Sequence, residues 1–127
     1  MVEKGQEWAI YVIDEVRDWI RTLEERDRLR VTRALDKLAE RGPTLGRPLV
    51  DTLHHTNTAN LKELRPTSGG HSYIRMLFAF DPWRSAIILV GGDKEGNWVR
   101  WYRDAIPLAE ERLKAYIADR AEEEGEA

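Results

Sequence analysis

The chain has 127 residues, of which 42% are hydrophobic and 34% charged, with a formal net charge of −3 and no cysteine. This composition fits one globular domain long enough to bury a core, and it excludes disulfides and thiolate-bound metal. No apolar run approaches the ~20 residues of a membrane-spanning helix, and the charged start, Met-Val-Glu-Lys-Gly, has no apolar run behind it, so no secretory leader is expected and a reducing, cytoplasmic setting is.

Glu7 to Ile13 is rich in β-branched and aromatic residues and reads as a first strand. Asp14 is placed to cap a short helix in which Val16, Trp19, Ile20 and Leu23 recur at helical spacing. After the polar patch Glu24 to Asp27, a second helix runs to about Arg41 with Val31, Ala34, Leu35 and Leu38 on one stripe. Gly42-Pro43 stops it. The two helices read as a hairpin covering one face of a sheet.

Thr44 to Ala59 lacks periodicity and reads as a loop. It holds His54 and His55, and adjacent residues on an extended chain point to opposite sides, so the pair is not expected to chelate one ion. Three strands follow. In Leu61 to Arg65, Lys62 and Leu64 face one way and Leu61, Glu63 and Arg65 the other. Beyond the turn Thr67 to Gly70, Ser72 to Asp81 alternates, with Ile74, Met76, Phe78 and Phe80 on the core face and Tyr73, Arg75, Leu77 and Ala79 opposite. Asp81-Pro82-Trp83-Arg84 is a tight turn, and Ser85 to Val90 is apolar on both faces, as a central strand is. Pro107 suits the first turn of a last helix with Ala109, Leu113, Tyr116 and Ile117 on its stripe. Residues 119–127 carry four Glu, one Asp and one Arg, an acidic tail of local net charge −4 that reads as a frayed helix end. The expectation is a single α+β domain over residues 1–127, with no internal repeat.

The stretch Leu89 to Asp104 is the most informative. It leaves the apolar strand, turns through Gly91-Gly92, presents Lys94, then interleaves cations with aromatics: Trp98, Arg100, Trp101, Tyr102 and Arg103. Such interleaving suits a surface that holds phosphates and stacks bases. The plainer reading is a strand end and the amphipathic start of the last helix. Antiparallel neighbours would bring Arg75, Arg65, Glu63, Lys94 and Tyr102 together: a cationic concavity with one phenol and one carboxylate, or a solvated face with ordinary ion pairs such as Glu63 with Arg75.

Four segments together resemble a known family: Asn60-Leu-Lys-Glu-Leu-Arg-Pro, Gly69-Gly-His-Ser-Tyr-Ile-Arg-Met-Leu-Phe-Ala-Phe, Leu89-Val-Gly-Gly-Asp-Lys and Trp101-Tyr-Arg-Asp-Ala. They look like the RelE/ParE superfamily of toxins, in its phage-derived, HigB-like branch, and the likeness extends over nearly the whole chain, including Gly46 to Leu49. It implies the small RelE-like, microbial-RNase-like fold: an N-terminal strand, a two-helix hairpin on an antiparallel sheet of about four strands, and a C-terminal helix. It implies the toxin of a type II toxin–antitoxin pair, partnered by a small helix-turn-helix antitoxin and cleaving mRNA on the ribosome. The catalytic arginine of RelE-like enzymes falls on Arg75, their basic residue after the last strand on Lys94, and their tyrosine on Tyr102. The lysine pair of the strongest RelE enzymes is not matched, because Leu61 and Glu63 occupy that face and Lys62 and Arg65 are the basic residues. HigB-type enzymes often use histidine, and the histidines here lie in loops.

RNA cleaves itself when its 2′-hydroxyl attacks the adjacent phosphate. An enzyme assists by alignment, by neutralising the phosphorane and by moving protons. Arg75 suits a bidentate clamp on phosphate and Lys94 a point charge. Tyr102, Glu63 or His71 could move protons, Tyr102 only if neighbouring cations lower its pKa. Lys62, Arg65, His71, Trp98, Arg100, Trp101 and Arg103 complete the expected RNA-binding set. No metal or other cofactor is required. Two rivals stand beside this reading: a ParE-type toxin acting on DNA gyrase without cutting RNA, and a docking protein without catalysis.

Overall fold

A computed structural model describes residues 7–53, 60–66 and 73–125. The elements are β1 (Ala9–Val12), α1 (Asp14–Arg21), α2 (Glu25–Arg41), a 3-10 turn (Gly42–Thr44), β2 (Val50–Thr52), β3 (Lys62–Leu64), β4 (Ile74–Phe80), β5 (Ser85–Asp93) and α3 (Trp98–Gly125). The strands form one sheet in the order β1-β5-β4-β3-β2. β1 runs parallel to β5, with Tyr11 opposite Ile87 and Val12 opposite Ile88. Every other pairing is antiparallel.

The sheet is covered on both faces, which makes three layers. The α1–α2 hairpin buries Val16, Val31, Ala34 and Leu38 against Leu64, Met76, Phe78 and Ile88. On the other face α3 buries Ala105, Ala109 and Leu113 against Leu61, Leu77, Ala79, Ile87 and Leu89. Double coverage explains why Ala86 to Val90 is apolar at every position, as a strand buried on both faces must be. It also makes Leu77 and Ala79 core residues of the second face. Among the described residues, no helix is long and apolar enough to cross a membrane.

The structure revises several expectations. The sheet has five strands and is mixed, where about four antiparallel strands were expected. The added strand, β2, lies within the stretch read as a loop. At three residues it is too short to show a period, and its pairing with β3 makes it a strand: Val50 with Leu64, Asp51 with Glu63, Thr52 with Lys62. Asp14 is the first residue of α1 and not its cap, which is Ile13. There its charge, with that of Glu15, favours the positive end of the helix dipole.

Gly91 and Gly92 are not a turn but strand positions, opposite Met76 and Arg75. A Cβ on Gly91 would lie 2.3 Å from the Trp19 ring, and one on Gly92 would lie 2.3 Å from Trp101 Nε1. Glycine here admits one indole onto each face of the sheet. The turn follows at Glu95 and Gly96, where Gly96 has φ of 81° and the Asp93 carboxylate accepts the Glu95 N–H at 2.8 Å. α3 therefore begins at Trp98, well before Pro107, which lies inside the helix rather than in its first turn. The helix runs on through the acidic stretch to Gly125, with Arg120 Nε donating to Glu124 at 2.9 Å.

The Asp81–Arg84 turn forms as read. Asp81 Oδ1 accepts the N–H groups of Trp83 and Ser85 at 2.9 and 2.8 Å, and Oδ2 accepts the Tyr116 hydroxyl at 2.7 Å. The turn thereby ties α3 to the β4–β5 hairpin.

Candidate active site

The polar residues that converge lie on the α3 face of the sheet, at the end where β3 and β5 stop and α3 begins. Glu63 is central. Its position on β3, opposite Leu77 on one side and Asp51 on the other, turns it toward α3. It is only 1% exposed. A buried carboxylate must be matched by donors or cations, and Glu63 is matched three ways. Arg65 Nε donates to Oε1 at 2.9 Å, the Tyr102 hydroxyl donates to Oε2, and Arg75 Nε stands 3.9 Å from Oε1. The last is an ion-pair separation rather than a hydrogen bond. Arg75 Nη1 donates to the Ile74 carbonyl at 2.7 Å, which folds the guanidinium back along its own strand.

Arg65 reaches further. Its Nη2 donates to Asp51 Oδ2 at 3.1 Å, and Arg47 binds the same carboxylate through Nη2 at 3.1 Å. Burial tends to raise the pKa of Asp51, but the hydrogen bonds from Arg47 and the Thr52 N–H, with the charges of Arg47 and Arg65, outweigh it and hold the carboxyl below its ordinary value. Burial likewise opposes the charge on Arg65, yet Glu63 and Asp51 overcome it and fix the guanidinium in its charged form.

Lys94 follows β5 and is kept in register by its N–H, which donates to the Tyr73 carbonyl at 3.1 Å. Its ammonium sits 5.5 Å from the centroid of the Tyr102 ring, a cation–π distance. Burial, then repulsion from Arg75, lower its pKa, with Glu63 acting in the opposite sense. Tyr102 is flanked by two indoles: Trp101 edge-on at 5.0 Å and Trp98 at 6.5 Å between ring centroids. Trp98 is 60% exposed at the rim.

The structure thus brings together Arg75, Lys94, Tyr102, Glu63 and Arg65, with Trp98 and Trp101 beside them. Others from the expected set do not join. Lys62 lies opposite Phe78, on the hairpin face, where its Nζ reaches Thr52 Oγ1 at 3.4 Å. Arg100 and Arg103 are exposed, and the helical repeat turns them away from the stripe of Tyr102, Ala105 and Ala109 that faces the sheet. The interleaving of cations and aromatics belongs to two sides of one helix. His54, His55 and His71 lie outside the described residues.

The condition set for Tyr102 as a proton acceptor is not met. Burial, then the hydrogen bond to Glu63 and its charge, raise the Tyr102 pKa strongly, and the opposing charges of Arg75 and Arg65 do not compensate. Tyr102 is a proton-keeping donor, not a phenol poised to accept a proton. Sequence reasoning also passed over Arg47 and Asp51. The signal available was the four-residue spacing within Arg47-Pro-Leu-Val-Asp51, ending in a short β-favouring run.

A mixed sheet with a helical hairpin on one face and a long C-terminal helix on the other is a RelE-like fold. The free-state structure of a double arginine-to-alanine mutant of the E. coli toxin RelE matches it with a TM-score of 0.57 at 14% identity, covering 80% of this chain and 97% of that one, a likeness of fold alone. The chain belongs to the Phage derived protein Gp49-like family, which matches residues 18–114. Two Mycobacterium tuberculosis proteins named as candidate toxins are similar in sequence. HigB3 is 46% identical over 110 residues, which span 87% of this chain and 94% of that protein. HigB2 is 42% identical over 106 residues, which span 84% of this chain and 53% of that protein.

Proposed function

We propose that this chain is the toxin of a type II toxin–antitoxin pair and that it cleaves mRNA on the ribosome by metal-independent attack of a 2′-hydroxyl. The observation that carries the reading is the set of three cations, Arg75, Arg65 and Lys94, held around one buried carboxylate and one phenol at the mouth of the sheet. Relatives named as candidate toxins support the toxin part.

In this reading Arg75 and Lys94 meet the charge that grows on the phosphorane. Lys94, whose pKa burial and Arg75 lower, gives up a proton more readily than an ordinary lysine and can supply one to the 5′-oxygen as its bond to phosphorus breaks, while the proton of the attacking 2′-hydroxyl passes to solvent water. Glu63 is a holding residue. With its oxygens taken by Arg65 and Tyr102, it sets the spacing of the cations. Trp98, exposed at the rim, offers a face for an unpaired base.

The test is expression of the wild type and of Arg75→Ala, with growth, thermal melting and primer-extension mapping of cellular mRNA read side by side. Growth arrest with mapped cleavage by the wild type, and loss of both in a folded Arg75→Ala, is the expected result. A folded Arg75→Ala that still cleaves removes Arg75 from the chemistry. A variant that no longer cleaves but still arrests growth favours a gyrase-directed toxin.

A further inference from the structure

Four cations on the α3 side of the sheet follow the order of the strands. Lys94 comes just after β5, Arg75 lies on β4, Arg65 just after β3, and Arg47 just before β2. The last three are joined in sequence, and Lys94 stands beside them over the Tyr102 ring. Arg75 and Arg65 share Glu63 Oε1 at 3.9 and 2.9 Å, and Arg65 and Arg47 share Asp51 Oδ2 at 3.1 Å each. Two carboxylates bind three of the four cations, and the row as a whole carries two more positive charges than negative ones. Exposure rises along it: the side chain of Arg75 is 12% exposed, that of Arg65 32% and that of Arg47 77%. Adjacent strands are ~4.8 Å apart, so three strand steps carry the row roughly 14 Å across the sheet. A row of that length, buried at one end and open at the other, suits a flexible polyanion more than a single phosphate.

We propose that this row is a track for the backbone of single-stranded RNA lying across the strands, and that Arg47 is its outer anchor, binding a phosphate beyond the one that reacts. The inference rests on the endonuclease reading and deepens it by adding a binding residue outside the catalytic cluster. Asp51 takes Nε and Nη2 of Arg47 and so fixes the plane of the guanidinium. Its remaining N–H groups face solvent, where a phosphate oxygen can accept them. Arg65 is held between two carboxylates and is a poorer phosphate ligand than its position suggests, which makes the exposed Arg47 the effective contact at this end.

The probe is a 3′-labelled 2′-O-methyl RNA ten nucleotides long, which cannot be cleaved because it has no free 2′-hydroxyl, followed by fluorescence anisotropy across a salt series. A three-nucleotide version is the short control. Arg47→Ala and Arg47→Gln are compared with the wild type after thermal melting has matched their folds; glutamine keeps a donor for Asp51 and drops the charge. Expected are a roughly fivefold loss of affinity for the long RNA in both variants and a plot of log affinity against log salt about 0.7 shallower, the slope of one phosphate contact to a single strand. The short RNA should bind all proteins alike. An unchanged slope and affinity in both variants would overturn the role of Arg47 and leave it a solvated ion pair with Asp51. Absence of salt-sensitive binding by the wild type would overturn the whole track. The endonuclease reading is judged separately, by the cleavage mapping of Arg75→Ala, so the two failures are distinguishable.

Discussion

Arg75 occupies a strand whose other residues are almost all buried, and its ion pair with Glu63, at 3.9 Å, is looser than that of Arg65 at 2.9 Å. Arg65 is therefore the main partner of the carboxylate. Arg75→Ala is expected to keep the fold while the cleavage rate drops about a hundredfold, on the order of 3 kcal/mol in the barrier, as measured by melting and primer extension. Arg75→Lys should recover little, because a lysine lacks the planar fork. Glu63→Ala should behave in the opposite way. It strands cations at a buried site and should destabilise by roughly 3 kcal/mol in urea unfolding. Tyr102 provides a pH signature. Its folded pKa is raised above the ordinary value of 10.0 by burial and by Glu63, so the folded state holds that proton where the unfolded chain has lost it. The stabilisation is complete below about pH 10 and is lost as the pH climbs through the folded value. Tyr102→Phe should show a flatter decline in stability above pH 10 than the wild type. Equal slopes in the two proteins would contradict the buried hydrogen bond.

At the scale of elements, β5 organises the molecule. It pairs with β1 on one side and β4 on the other, and its two glycines let Trp19 and Trp101 lie against opposite faces of the sheet. Trp101 seats the first turn of α3, and Tyr102 comes with it. Gly92→Ala puts a methyl group into the Trp101 ring. The expected cost is about 1–3 kcal/mol by thermal or urea unfolding, together with loss of cleavage out of proportion to the loss of fold, because the displaced helix start carries Tyr102 from Glu63. Gly91→Ala should destabilise to a similar degree through Trp19 on the hairpin face, with less effect on cleavage. If both variants affected stability and cleavage equally, the indoles would not be positioning the site.

The whole molecule carries a formal charge of −3, yet residues 119–127 account for −4 of it and the site face is cationic. Such a division suits a partner that covers the cationic face with an acidic or amphipathic segment, which is the form of antitoxin we expect. Expression of the chain alone should arrest growth, and co-expression of the product of a neighbouring reading frame should restore it. The affinity of that complex should fall as salt rises. Salt-independent binding would place the antitoxin elsewhere, such as on the α1–α2 hairpin.

The sequence by itself determined the helical hairpin, the β3–β4–β5 succession, the burial of Ser85 to Val90 on both faces, and the convergence of Arg75, Glu63, Arg65, Lys94 and Tyr102. Each of these follows from local periodicity or from side-chain alternation on neighbouring strands, and motif resemblance carried the family. Only the tertiary structure decided the parallel seat of β1, the strand status of Val50–Thr52 and the placement of Gly91 and Gly92 within a strand, because direction, short pairings and close indole contacts are set by partners distant in the chain. It also separated Arg100, Arg103 and Lys62 from the cluster, since a helix turns interleaved residues to opposite sides and a strand alternates them. Finally, it decided the condition on Tyr102, whose pKa is raised rather than lowered. A sequence shows which charges can approach a phenol, whereas burial and the acceptor it meets, here Glu63, decide whether it keeps its proton.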